Sequence, residues 1–222
     1  MVSKLTSINL GCRLLDLALN FIKPCLLPGK TELQIKRQIN SFLKSSGAQG
    51  FAFPTIVAFG NHTANIHHKP TNRKLTNNQI VMIDIGVKIN GWCCDITRMF
   101  FVGQPKPIWL KTYRQVLRAQ QKAIFHLRGG KLDASAVDAV ARKIIQFPHS
   151  LGHGLGKKIH GRPKIGPKSK DIIKPDDVIT IEPGYYLKNR FGIRIEDTLL
   201  KTATGYRPLT KFPKSLQSLL HD

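Results

Sequence analysis

Two long apolar runs in the first half of the chain each contain a single carboxylate. Residues 80–87 carry Asp84, and residues 91–102 carry Asp95. Such runs are typical of buried strands, and Lys88-Ile89-Asn90-Gly91 between them predicts a tight hairpin. A carboxylate inside a buried strand is costly unless it is paired or binds a metal. The two runs therefore predict a core hairpin whose aspartates have a specific purpose.

Further metal-ligand types follow in the second half of the chain. The full chain of 222 residues has only 13 acidic residues, yet Glu182 and Glu196 also lie in strand-like apolar runs. Between residues 147 and 160, three histidines are spaced by four and seven, and glycines flank the middle one. Each residue alone has an ordinary structural explanation, but one imidazole with four carboxylates is a ligand set for two divalent metals. The predicted ligands are Asp84, Asp95, His153, Glu182 and Glu196.

The chemistry of such a site follows from its donor atoms. Oxygen-rich ligation with one imidazole suits Mn²⁺, which is the main prediction, and also Co²⁺, Fe²⁺ or Zn²⁺. Two such ions about 3.5–4 Å apart can share a water and lower its pKa. The pattern therefore predicts a dinuclear metal hydrolase.

The order of the predicted elements indicates the fold class. Helical spacing covers residues 3–23, 31–44, 108–127 and 133–145, with Thr31 and Gln34 as a capping box and Asp133 as an N-cap. Strand patterns cover residues 53–59, 80–87, 91–102, 178–182, 185–188 and 192–201, whereas residues 162–174 are expected to form a polar loop and residues from 205 a tail. Helices precede strands twice, which predicts an α+β fold with two similar halves, each a sheet covered by helices.

Composition limits where the protein works and what it contacts. No run of about 18 apolar residues is present and the cysteines are not in C-x-x-C pairs, so we expect a cytoplasmic protein with reduced thiols and no membrane contact. The formal net charge is +22. A solvated lysine-rich surface is the simpler explanation, and non-specific contact with RNA or the ribosome is the alternative.

Several motifs occur in the order found in one enzyme family. They are Asp84-Ile85-Gly86, Asp95-Ile96-Thr97-Arg98, Ser150-Leu151-Gly152-His153-Gly154, Ile181-Glu182-Pro183-Gly184 and Arg194-Ile195-Glu196-Asp197. Together they resemble the pita-bread metallopeptidases, which include methionine aminopeptidases, aminopeptidase P and prolidase. The resemblance implies the pita-bread fold with two pseudo-symmetric halves and the five ligands named above. It also implies that Asp95 and Glu196 bridge the metals, with Asp84 on one ion and His153 and Glu182 on the other.

The resemblance also indicates a branch of the family and further roles. His149, four residues before His153, Arg194 and Glu182-Pro183-Gly184-Tyr185 are similar to the proline-specific branch, which hydrolyses the N-terminal Xaa-Pro bond of short peptides. His67 and His160 match the family's substrate-side histidines, and Glu182 is the candidate for moving the proton of the attacking water. His67, His149, His160 and Arg194 are accordingly predicted to bind substrate. His62 and His68 are interpreted as solvated loop histidines.

Two other functions stay open at this level. The length suits a single catalytic domain, residues 1–222, without the N-terminal dimerisation domain usual in the proline-specific branch. We therefore expect a monomer or weak dimer, and this compact layout is also similar to methionine aminopeptidases that remove initiator Met. A non-catalytic pita-bread module that binds the ribosome or nucleic acid is the third alternative, but such modules typically lack several ligands.

Overall fold

A computed structural model describes residues 2–221 of the chain. The helices are α1 (Lys4–Ile22), α2 (Glu32–Ser45), α3 (Pro107–His126), α4 (Ala134–Arg142) and α5 (Leu216–Leu219), with 3₁₀ turns at Lys23–Cys25 and Gly60–Ala64. The strands are β1 (Gly50–Phe51), β2 (Ile56–Phe59), β3 (Gln79–Ile89), β4 (Trp92–Val102), β5 (Leu132–Asp133), β6 (Gly152–Gly154), β7 (Gly161–Ile165), β8 (Ile172–Ile173), β9 (Val178–Ile181), β10 (Gly184–Leu187), β11 (Phe191–Arg194), β12 (Asp197–Lys201), β13 (Tyr206–Pro208) and β14 (Leu220–His221).

Two five-stranded sheets organise these elements. The first has the order β1-β3-β4-β14 with β2 also paired to β3, and the second has the order β13-β12-β9-β6-β7. Helices α1 and α2 precede most of the first sheet, whereas α3 and α4 precede the second. The prediction of an α+β chain with two comparable halves is confirmed.

The hairpin of β3 and β4 carries the first two predicted ligands. Its turn is Asn90-Gly91, and both residues have positive φ angles of 50° and 77°. Two such residues form the tight turn that matches the twist of paired strands. The register places Gly86 opposite Asp95 and Thr97 opposite Asp84. Because facing residues share a side of the sheet and the side alternates along each strand, both aspartates lie on the same face.

Helix α1 covers the first sheet. Ser3 caps it by accepting a hydrogen bond from the backbone N–H of Thr6. The segment Lys4–Cys25 has the length and hydropathy of a membrane span, but half of the window that meets this criterion is buried within the fold. This burial is the property expected of a core helix, and the buried residues include Ile8, Leu15 and Leu19.

Helix α2 begins at the predicted capping box. The Thr31 hydroxyl accepts from the Gln34 backbone N–H, and the Gln34 side chain accepts from the Thr31 backbone N–H. This reciprocal pair satisfies two donors at the helix start and fixes where the helix begins. Glu32, the first helical residue, is thereby set at the buried end of α2.

The second sheet presents the remaining predicted ligands. His153 is the middle residue of β6, Glu182 follows β9 directly, and Glu196 lies between β11 and β12. The Glu182 backbone N–H donates to the carbonyl of Leu151 at 2.7 Å, so Glu182 is held beside β6. The strands β6, β9 and β12 of one sheet therefore place these three side chains at the same end of that sheet.

Hydrogen bonds join the two sheets next to this end of the second sheet. The Glu196 N–H donates to the Thr97 carbonyl at 3.2 Å, and the Thr198 hydroxyl donates to the Asp95 carbonyl at 2.8 Å. The buried Arg98 pairs with Asp197 at 2.6 Å. These bonds set the distance between the acids of the hairpin and those of the second sheet.

Several details differ from the sequence-based prediction. Residues 162–174 contain β7 and β8, because polar residues alternate with buried Pro163 and Ile165 along an edge strand. The predicted strand 192–201 is interrupted at Ile195 and Glu196, and the predicted tail forms β13, α5 and β14. Helix α4 ends at Arg142, and Asp133 occupies its N-cap position without a side-chain capping bond.

Gly152→Ala tests how closely β6 approaches β9. A Cβ added to Gly152 would overlap the carbonyl oxygen of Thr180, whereas at Gly156 the nearest atom would be 4.0 Å away. Because overpacking against backbone has few ways to relax, Gly152→Ala should lower the free energy of unfolding by about 3 kcal/mol. Gly156→Ala is the control and should lie within about 0.5 kcal/mol of wild type in urea unfolding. Equal stability of both variants would contradict this packing.

Candidate active site

A cleft of about 980 Å³ opens where the two sheets meet. All nine residues predicted as catalytic, substrate-binding or metal-binding line it, namely His67, Asp84, Asp95, His149, His153, His160, Glu182, Arg194 and Glu196. These positions extend over more than half of the chain length. The structure thus brings the predicted site residues together in one place.

Three of the carboxylates are buried with oxygen atoms that lack partners. Asp84, Asp95 and Glu196 are 8%, 5% and 2% exposed. Among the residues that the structure describes, one oxygen of each, Oδ1, Oδ1 and Oε1 respectively, has no hydrogen-bond donor. A buried acceptor without a partner costs about 1–3 kcal/mol, and more when it is charged. These oxygens therefore fit metal ligands, because a bound cation would satisfy them.

His153 presents its free nitrogen to the same group. Its Nδ1 lies 3.3 Å from the Gly154 carbonyl, which suits a protonated Nδ1. Its Nε2 lies 3.8 Å from Asp95 Oδ2 and 3.4 Å from Glu182 Oε1. Burial and the neighbouring His160 lower the pKa of His153 to about 4, so the ring is neutral at physiological pH. A neutral imidazole whose Nδ1 is oriented by a carbonyl is the form that binds metals through Nε2.

Burial and repulsion among the acids raise their pKa values. Burial raises the pKa of Glu182 to about 8, and the charge of Asp84 adds to the rise. Burial and the negative charges of Glu196 and Asp84 raise the pKa of Asp95, and the pKa of Glu196 is raised by burial, Glu182 and Asp84. Four ionised carboxylates at this spacing require positive charge nearby. Divalent cations would supply it.

Arg194 provides part of this compensation. Its Nη2 pairs with Asp84 Oδ2 at 2.6 Å, and its Nε donates to the Thr97 hydroxyl at 3.2 Å. Thr97 in turn donates to Glu196 Oε2 at 2.8 Å. Arg194 therefore holds acids from both sheets in place, in addition to its predicted contact with substrate.

Tyr186 extends this network to His149. Its hydroxyl accepts from Arg194 Nη1 at 2.9 Å and lies 2.9 Å from His149 Nε2. His149 Nδ1 lies 2.8 Å from the Ser150 carbonyl, so this nitrogen is the donor and Nε2 accepts from Tyr186. Burial and the positive charge of Arg194 lower the pKa of His149 to about 4. His149 is thus a neutral member of a hydrogen-bonded chain.

Sequence reasoning did not identify Tyr186. It selected Tyr185, whose ring lies 6.0 Å from that of Phe191. The signal for Tyr186 was strand alternation, because Tyr186 pairs opposite Gly192 and so shares a face with Arg194 two residues later. Thr97 was likewise quoted only as part of a motif, although its hydroxyl joins Arg194 to Glu196.

His67 and His160 are exposed side chains that line the cleft. His67 belongs to the loop after the Gly60–Ala64 turn, and His160 immediately precedes β7. The ring of His160 lies 4.7 Å from that of His153 in an edge-to-face arrangement. Both imidazoles are accessible to a molecule in the cleft, as their predicted substrate-binding roles require.

The interpretation of His62 and His68 as solvated loop histidines is wrong. His68 is 7% exposed, and its Nε2 lies 2.8 Å from Glu32 Oε2. His62 Nδ1 lies 2.8 Å from Glu32 Oε1, and Glu32 itself is fully buried. Sequence separations of 30 and 36 residues conceal this cluster, because neither local periodicity nor spacing links a helix start to a distant loop.

Comparisons with known proteins agree with this geometry. The family model described as metallopeptidase family M24 matches residues 7–203. A Xaa-Pro dipeptidase of Pyrococcus furiosus is 36% identical over 216 residues, which cover 94% of this chain and 62% of the relative. This chain therefore spans less than two thirds of the length of that relative.

Solved structures give the same result. A Xaa-Pro dipeptidase from Bacillus anthracis superposes with a TM-score of 0.95 at 30% identity, covering all of this chain and 63% of that one. An X-Pro aminopeptidase from Thermotoga maritima has a TM-score of 0.91 at 31% identity, covering 96% and 62% of the two chains. The predicted pita-bread architecture is confirmed.

Glu32→Gln should change the pH dependence of stability. Burial alone would raise the pKa of Glu32, but hydrogen bonds from His68, Thr71, His62 and Phe59 lower it to about 2. A depressed pKa contributes stability that is present above the usual value of about 4.5 and is lost as pH falls towards 2. The stability gap between wild type and Glu32→Gln should therefore narrow by about 1 kcal/mol between pH 6 and pH 3.5 in urea unfolding. A gap independent of pH would contradict an ionised Glu32.

Proposed function

Because this chain belongs to metallopeptidase family M24, we propose that it hydrolyses the N-terminal Xaa-Pro bond of short peptides with the help of two divalent metal ions. The observation that carries the proposal is the meeting of one neutral imidazole and four carboxylates, three of which have unpartnered buried oxygens. Relatives named Xaa-Pro dipeptidase and X-Pro aminopeptidase support the preference for proline.

Asp84, Asp95, His153, Glu182 and Glu196 would hold the metals. Their donor set is oxygen-rich with a single imidazole, which suits Mn²⁺ and also Co²⁺, Fe²⁺ or Zn²⁺. When bound, the ions supply Lewis-acid chemistry that activates a water and polarises the scissile carbonyl. They also neutralise the carboxylates, whose pKa values burial and mutual repulsion raise.

The remaining residues divide the work on the substrate. The Glu182 side chain is 18% exposed, more than that of Asp84 or Asp95, so it can reach a water in the cleft and accept its proton. His67 and His160, which both line the cleft, donate hydrogen bonds to the carbonyl oxygen of the peptide, where negative charge develops. Arg194, Tyr186 and His149 shape the site between them and keep Asp84 in position.

Neither rival function is favoured. The length that suggests a methionine aminopeptidase carries no weight, because proline-specific proteins cover this chain almost completely. A non-catalytic binding module has no need for the five ligand residues that line the cleft. RNA or ribosome contact, cytoplasmic location and the monomeric or weakly dimeric state stay predictions.

A side-by-side peptide assay tests the activity. Metal-stripped protein reconstituted with Mn²⁺ should cleave an Xaa-Pro dipeptide or an Xaa-Pro-Xaa tripeptide, but not Met-Ala-Ser. His153→Ala removes the imidazole ligand and should lower kcat/KM at least about 100-fold. His126→Ala is the matched control, because His126 is exposed at the end of α3 outside the cleft. Cleavage of Met-Ala-Ser alone would overturn the preference for proline.

Metal binding is measurable without turnover. Because the cation binds the folded state, Mn²⁺ at about 100 times its Kd should add about 2.7 kcal/mol of stability, seen as a rise in Tm. Asp95→Asn removes a central carboxylate and should abolish most of this rise. Asp171→Asn keeps it, because Asp171 pairs with Arg162 at the rim. An equal rise in both variants would place the metal elsewhere.

A further inference from the structure

One buried carboxylate outside the predicted ligand set organises a whole wall of the cleft. Glu32 accepts five hydrogen bonds from the segment of residues 59–71, which we name the anchored segment. The donors are the backbone N–H of Phe59, His62 Nδ1, His68 Nε2 and both the N–H and the hydroxyl of Thr71, all at 2.8–2.9 Å. Glu32 is thus the common partner of both ends and the middle of this segment.

The contacts of Glu32 with His62 and His68 have the geometry of hydrogen bonds. A carboxylate only accepts, so the ring nitrogens that face it from His62 and His68 must carry protons. Both oxygens of Glu32 also accept from backbone N–H groups of the anchored segment. A metal between these three side chains would have to displace the ring protons. Glu32, at the capped start of α2, is therefore a fixed acceptor.

The anchored segment carries His67, next to His68 and exposed in the cleft. Its other side contacts the second half of the fold. The Thr63 hydroxyl accepts from the Gly192 N–H at 2.7 Å, and the Ile66 carbonyl lies 3.5 Å from Arg194 Nη1. The segment is accordingly held between Glu32 in one half and β11 in the other.

We propose that Glu32 is a positioning residue for His67. By holding His62 and His68, which flank residues 63–67, it fixes where the His67 imidazole meets the peptide. The inference rests on the proposed peptidase function. A displacement of about 1 Å of a group near the reacting atoms can lower the rate about 100-fold, so losing the position of His67 should lower the activity strongly.

A double-mutant cycle tests the proposal. Glu32→Gln keeps the shape but replaces one acceptor oxygen by an amide that faces donors. In the wild-type background, it should lower kcat/KM for an Xaa-Pro peptide by about 10- to 100-fold. In the His67→Ala background, it should have less than about a twofold further effect, because the group it positions is gone. The same factor in both backgrounds would show general destabilisation and overturn the proposal.

A matched control separates helix stability from positioning. Thr31→Ala removes the cap of α2 one residue away, and the Thr31 side chain makes no hydrogen bond to the anchored segment among the described residues. It should lower Tm but leave kcat/KM within about twofold. Should Glu32→Gln fail to fold, Thr71→Val removes only the hydroxyl donor, and a smaller loss confined to the His67-containing background is expected. A comparable loss in the His67→Ala background would count against positioning.

A readout independent of turnover distinguishes failure of this inference from failure of the proposed function. In protein with labelled histidines, the NMR signal of His67, assigned with His67→Ala, should shift or broaden in Glu32→Gln, while that of His160 stays in place. If no peptide is cleaved by the wild type, the proposed function fails, and this signal still decides the anchoring. An unchanged His67 signal overturns the proposal. The proposal would also be overturned if His68→Ala caused the purified protein to lose a bound metal ion, because His68 would then be a metal ligand.

Discussion

The cleft depends on a balance between repulsion and compensation among buried carboxylates. The charge of Asp84 raises the pKa of Asp95 and of Glu196, and Glu196 raises that of Asp95 further. Each of the three nevertheless keeps an oxygen without a donor among the described residues. Burying such groups costs several kcal/mol unless positive charge compensates them. Arg194 supplies part of that charge through Asp84. The remaining deficit is the physical reason why this arrangement suits divalent cations.

Two hydrogen-bond networks hold the groups around the cleft in position. Behind the acids, Thr97 joins Arg194 to Glu196. The Glu196 backbone N–H and the Thr198 hydroxyl also donate to backbone carbonyls of the hairpin. At the side, Glu32 gathers the anchored segment and sets the wall that bears His67. Both networks consist of groups from distant parts of the chain. The site is therefore a property of the joint between the two sheets.

Much of the fold and of the site was predictable from local patterns. The hairpin followed from two apolar runs around Asn90-Gly91, and α2 began at its capping box. The short strands β6, β7 and β8 were not predicted, because two to five residues carry too little periodicity to distinguish a strand from a loop. The burial of His68 was missed for a different reason, since its partner Glu32 lies 36 residues away.

The sequence by itself determined the types of ligand, the hairpin that carries two of them and the family they resemble. It did so because scarce acids in apolar runs have few physical explanations, and because helix caps and tight turns are local chemistry. Only the tertiary structure decided which side chains face the cleft, which support them and which histidines are buried. Those outcomes depend on the register between strands and on how two sheets meet, and both are set by contacts between residues far apart in the chain.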